Sequence, residues 1–121
     1  MDKKVLLVVD DSVGIVESMN VLFSDDFEVF SAATVTEALG ILEKIQPDMI
    51  LLDYLMPGLN GVHLLREIRQ MKMASKVILV TASVWEGVKE EVMSLGVDGF
   101  VRKPFDIWEL EAIARGILAV A

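Results

Sequence analysis

The chain has 121 residues, 54% hydrophobic and 25% charged, with a net charge of −8 and no cysteine. That balance describes one globular domain, spanning residues 1–121, that buries roughly two-thirds of the surface its unfolded chain exposes. An acidic chain without a basic stripe argues against nucleic acid as a direct partner, and the lack of thiols excludes disulfides and thiolate metal sites. The first apolar run, Val5–Val9, is too short for a signal segment or a membrane span, so a cytoplasmic protein without membrane contact is expected.

Patterns of period two and period 3.6 alternate five times along the chain. Val5–Val9 is an uninterrupted aliphatic run that stops at Asp10 and Asp11. Such a run cannot alternate between core and solvent, so it reads as a strand buried on both faces. Ile15, Met19, Leu22 and Phe23 then keep one helical face, and Phe27–Ala32 is a more polar strand placed nearer a sheet edge. Ala38, Leu42 and Ile45 mark a second helix, followed by Pro47 and a buried strand, Met49–Leu52, that stops at Asp53. Val62, Leu65 and Ile68 line a third helix, and Val77–Val80 is a strand that stops at Thr81. Val88, Val92 and Leu95 line a fourth helix closed by Gly96. A short strand at Phe100–Val101 runs through Arg102 into Lys103-Pro104, and Ile107, Leu110, Ala114 and Ile117 line the last helix. Thr34 with Glu37, Ser83 with Glu86 and Asp106 with Glu109 have the capping-box spacing at three expected helix starts.

This (βα)5 alternation implies a parallel sheet with helices on both faces. In such a sheet the strands end on one edge, where Asp10, Asp11, Asp53, Thr81 and Lys103 would meet. Two like charges about 5 Å apart repel by roughly 3 kcal/mol at an effective dielectric near 20. The acid trio therefore persists only with a cation among its members or a proton on one of them. Hard oxygen ligands with room for water suit Mg²⁺. A carboxylate such as Asp53 is able to attack phosphorus, with Thr81 and Lys103 placed to receive the phosphoryl oxygens. The plainer reading gives Asp10 or Asp11 to helix capping and Asp53 to a turn. Lys103 lies directly before Pro104, which restricts its backbone and makes a cis peptide affordable.

The segments VLLVVDDS, ILLDYLMPGLNG, VILVTAS and GFVRKPF, in that order, resemble the four signature blocks of response-regulator receiver domains in two-component signalling. The resemblance covers essentially the whole chain. It implies a doubly wound, flavodoxin-like sheet of order 2-1-3-4-5, with the reversal between strands one and three beside the acids. It further implies that Asp53 is the phosphoacceptor and that Asp10, Asp11, Asp53 and the main-chain oxygen of Leu55 hold Mg²⁺. Thr81 would be the switch hydroxyl, Lys103 the partner of a phosphoryl oxygen, Phe100 the aromatic switch residue and Lys103-Pro104 the cis peptide. The implied donor is a phosphohistidine on a sensor histidine kinase or a histidine phosphotransfer protein. The output is a separate protein or a fused domain, reached through the face of the fourth helix, fifth strand and fifth helix, which also serves homodimers. The resemblance implies a signalling domain that assists its own phosphorylation and dephosphorylation and is not otherwise an enzyme. Leu55 and Ser83 fall where the family tunes the water attacking the phosphoryl group. An apolar Leu55 cannot orient that water, so slow loss of phosphate is expected. Trp85 and Trp108 suggest partner contacts, since Trp108 lies opposite the core-facing Leu110 and Ile117.

Two rival classes remain open at this point. One is a Mg²⁺-dependent phosphohydrolase with an aspartate nucleophile. The haloacid-dehalogenase-like kind uses Asp-x-Asp on the first strand, whereas this chain has adjacent Asp10 and Asp11. The other is a pseudo-receiver that only binds proteins.

Overall fold

A computed structural model describes residues 3–54, 61–81, 89–103 and 105–120; the side chains of Thr81, Lys89, Ala119 and Val120 are outside what is described. Strands β1 (Lys4–Val9), β2 (Phe27–Ala32), β3 (Met49–Asp53), β4 (Lys76–Thr81) and β5 (Gly99–Arg102) form one parallel sheet in the order β2-β1-β3-β4-β5. Helices α1 (Val13–Phe23), α2 (Val35–Leu42), α3 (Gly61–Gln70), α4 (Lys89–Leu95) and α5 (Ile107–Val120) lie between and after the strands. The expected fold class and strand order are both borne out.

The pleat splits the aliphatic runs into two cores. Leu7, Val9, Ile50, Leu52, Val77 and Leu79 meet Ala38 and Leu42 of α2, Leu64, Leu65 and Ile68 of α3 and Val92 of α4. Leu6, Val8, Met49, Leu51, Ile78 and Val101 meet Met19 and Phe23 of α1 and Leu110 and Ala114 of α5. Every residue of β3 is buried, which explains why that segment shows no polar alternation. The more polar β2 is an edge strand, as its composition suggests.

Local chemistry fixes the helix ends. Ser12 caps α1, its Oγ accepting from the Ile15 N–H at 3.4 Å, so this task falls to neither Asp10 nor Asp11. Thr34 Oγ1 accepts from the Glu37 N–H at 3.1 Å, and Glu37 reaches back to the Ala33 N–H at 2.9 Å. Asp106 Oδ1 accepts from the Trp108 N–H at 2.8 Å. The expected Ser83–Glu86 cap and Val88 lie outside the described residues. Helix α2 stops at Leu42, and Ile45 sits just beyond it with its N–H still bonded to the Ile41 carbonyl. Gly96 closes α4 at φ +88°, a conformation in which a side chain is strained. Arg69 of α3 donates to the Gly96 carbonyl at 2.7 and 3.1 Å, a cation at the negative end of α4.

At the edge where the strands begin, two aspartates tie neighbours together. Asp48 Oδ2 accepts from the Val5 N–H at 2.7 Å, while the Asp48 N–H donates to the Val5 carbonyl at 2.9 Å. Asp98 repeats the arrangement with Val77, both bonds at 2.8 Å.

Candidate functional site

Register builds the site. Leu6 pairs with Met49 and Val9 with Leu52, so the next step brings Asp10 level with Asp53. The Asp10 N–H continues the pairing by donating to the Ala32 carbonyl at 3.0 Å. Because their flanking residues alternate in step, both carboxylates leave the sheet on the side covered by α1 and α5. Val8, Ile15, Met19, Leu51, Val80 and Leu110 form an apolar floor beneath them. Asp10 and Asp53 are 4% and 3% exposed, whereas Asp11 is open to solvent.

One carboxylate oxygen from each of Asp10, Asp11 and Asp53 lies within 4.8 Å of the others. Lys103 follows β5 and extends back across the strand ends, its Nζ 3.4 Å from Asp53 Oδ2 and 3.7 Å from Asp10 Oδ2. Three carboxylates against one ammonium leave an excess of two negative charges if all are ionised. A divalent cation matches that excess, and three oxygen donors, one of them exposed, suit a hard ion that keeps part of its water. The donor set therefore fits Mg²⁺.

Ser12 belongs to this site through its backbone. Its N–H donates to Asp10 Oδ1 at 2.8 Å, which occupies that oxygen and leaves Oδ2 directed toward Lys103. The Asp-Asp-Ser run before a helix carries the N-cap signal that identifies Ser12. Nothing in its residue type reveals the backbone bond to Asp10.

Of the residues named from sequence, Asp10, Asp11, Asp53 and Lys103 are brought together. Thr81 ends β4 one residue beyond Val80, which pairs with Asp53, so its backbone lies on the same rim. Leu55, Ser83, Trp85 and Pro104, and with Pro104 the expected cis peptide, lie outside the described residues. Phe100 pairs with Leu79 in the sheet and is 51% exposed. Trp108 is 65% exposed on the outer side of α5, as the helical pattern predicts. An open cavity of about 730 Å³ runs between α1 and the start of α5, with Ile15, Met19, Phe105 and Ile107 on its walls and Lys103 at its border.

The comparisons with known proteins agree with this architecture. The family model described as "Response regulator receiver domain" matches residues 6–115. Response regulator Rre1 of Synechocystis is 37% identical over 118 residues, covering 94% of this chain, which spans about half (51%) of the relative's length. Sporulation initiation phosphotransferase F of Bacillus subtilis is 35% identical over 119 residues, covering 98% of this chain and 95% of that protein. The response regulator receiver domain protein (CheY-like) from Methanospirillum hungatei superposes with a TM-score of 0.90 at 26% identity, covering 98% of this chain and 95% of that one. Among the described residues no helix is long and apolar enough to cross a membrane. With the sheet order, the acid trio and the family match in agreement, the chain belongs to the receiver domains of two-component response regulators.

Proposed function

We propose that residues 1–121 form a single receiver that accepts a phosphoryl group on Asp53 with Mg²⁺ bound. The donor is a phosphohistidine of a sensor histidine kinase or a histidine phosphotransfer protein. The observation that carries this reading is the contact of Lys103 with two buried carboxylates, 3.4 Å from Asp53 and 3.7 Å from Asp10, beside the exposed Asp11.

Asp10, Asp11, Asp53 and the main-chain oxygen of Leu55 would hold the ion. When bound, Mg²⁺ neutralises charge on the phosphoryl oxygens and so favours in-line transfer. An Asp53 oxygen attacks phosphorus, the phosphorus–nitrogen bond of the donor breaks, and its electron pair stays on the imidazole nitrogen, which takes up a proton. Lys103 donates to one phosphoryl oxygen and the Thr81 hydroxyl to another. The product is an acyl phosphate, removed later by water.

The charge-assisted Thr81 bond biases a two-state element, with about 1.5–3 kcal/mol at stake. Thr81 moves toward the phosphate and the Phe100 ring turns inward, remodelling the α4–β5–α5 face. Met93, Phe100 and Trp108, 58%, 51% and 65% exposed, mark that face. It would contact an output protein or fused domain, or a second copy of the chain. A histidine-kinase donor places the chain in the cytoplasm.

Incubation with Mg²⁺ and acetyl phosphate, followed by intact mass measurement, tests the reading. A base-labile phosphoryl adduct on the wild type, absent from Asp53→Ala, is expected. A wild type that takes no adduct overturns the proposal, and turnover of small phosphate esters would assign a phosphohydrolase.

A further inference from the structure

We infer that Gly61 is a positioning residue for Asp53, because the first residue of α3 presses on the backbone that carries the phosphoacceptor. This rests on Asp53 accepting the phosphoryl group. A Cβ placed on Gly61 would lie 2.5 Å from the Asp53 carbonyl oxygen, 3.0 Å from Tyr54 Cα and 3.2 Å from the Asp53 carbonyl carbon. All three are backbone atoms, so no rotamer change relieves the overlap. The φ of Gly61 is not positive, so the position calls for glycine by space and not by backbone conformation.

The contact is closed on both sides. The Tyr54 N–H donates to the Val80 carbonyl at 2.8 Å and the Tyr54 carbonyl accepts from the Gly61 N–H at 2.9 Å. The end of β3 is thereby fastened to β4 and to α3 at once. Helix α3 has little freedom to retreat, because Leu64, Leu65 and Ile68 are fully buried in the core it shares with α2 and α4. A side chain at position 61 therefore drives the Asp53 backbone away by about 1 Å before ordinary contact distance is reached. A shift of that size at a reacting group costs on the order of 100-fold in rate. Gly61 sets where the attacking oxygen stands relative to Asp10 and Lys103.

The test is Gly61→Ala, with Gly40→Ala and Gly116→Ala as controls, since a Cβ at either control position meets nothing within 4 Å. Phosphorylation by acetyl phosphate is followed at saturating Mg²⁺ and divided by the folded fraction from circular dichroism, with sucrose added where a variant is destabilised. The thermal shift produced by Mg²⁺ with beryllofluoride is measured in parallel. The expected result is a rate per folded Gly61→Ala molecule roughly 100-fold below wild type, a reduced beryllofluoride shift, and controls that behave as wild type. A folded Gly61→Ala chain with the wild-type rate and the wild-type shift overturns the inference while leaving the phosphoacceptor reading intact. A Gly61→Ala chain that stays unfolded in sucrose also overturns it, because the glycine then serves the fold alone. A wild type that takes no phosphoryl group overturns the underlying reading and this inference with it.

Discussion

Ser12 does two jobs with two different atoms. Its hydroxyl caps α1 and its N–H holds Asp10 Oδ1. Ser12→Ala removes only the first, so the expected loss is about 0.5–1 kcal/mol of stability, read as a lower urea midpoint with an unchanged m-value. Asp10 and Asp53 were legible in the sequence because each directly follows an aliphatic run, Asp11 and Lys103 because each stands two residues beyond one, and the chemistry of each lies in its side chain. Ser12 and Gly61 were not legible as site residues. One acts through a main-chain N–H and the other through the absence of a Cβ, and neither property is tied to a pattern of hydropathy or charge.

Helix and strand identities followed from period alone, because the two cores demand it. Buried β3 cannot alternate, and α3 must present Val62, Leu65 and Ile68 to the same layer. Missing from the pattern were the ties between elements, such as Arg69 reaching the Gly96 carbonyl just past α4 and Arg66, whose Nη2 lies 2.9 Å from both carboxylate oxygens of Glu91. Such contacts join residues more than twenty apart and leave no periodic trace. Helix α5 carries Trp108 on the side away from Leu110 and Ala114, so the indole contributes little to folding. Trp108→Ala is expected to change stability by less than about 0.5 kcal/mol. It should weaken a beryllofluoride-dependent contact through this face about 30-fold, the loss of a typical interface anchor. Titration calorimetry against the output partner, or sedimentation of the activated chain for self-association, checks both halves, and unchanged activated contacts would remove Trp108 from the interface.

Across the whole molecule, α5 is secured to the corner between α1 and β2 by one guanidinium. Arg115 lies 5.2 Å from the Phe23 ring centre and 5.6 Å from that of Phe27, two rings packed edge to face, and it pairs with Asp26 and Glu111. Its hydrogen bond holds the Asp26 carboxyl below the usual carboxylate range. A carboxyl depressed in the folded state adds stability above its unfolded pKa of about 3.9 and loses that contribution as the pH falls through the lowered value. Both partners are well exposed, so Asp26→Asn should cost no more than about 1 kcal/mol near neutral pH. The gap between wild type and variant should hold from about pH 7 to 5, shrink below about pH 4, and narrow in molar salt. Urea unfolding at several pH values provides the check; a gap that widens on acidification would reverse the assigned sign.

The mutual bonds of Asp48 with Val5 and of Asp98 with Val77 stand at the far end of the sheet from the rim that carries the acid trio. Each acts as a stop that indexes one strand against another. Were β3 to slide a single residue along β1, Asp53 would swing to the opposite side of the sheet and be shut in with α2 and α3. The alignment of Asp10 with Asp53 is therefore set five residues away, at an edge that touches neither acid.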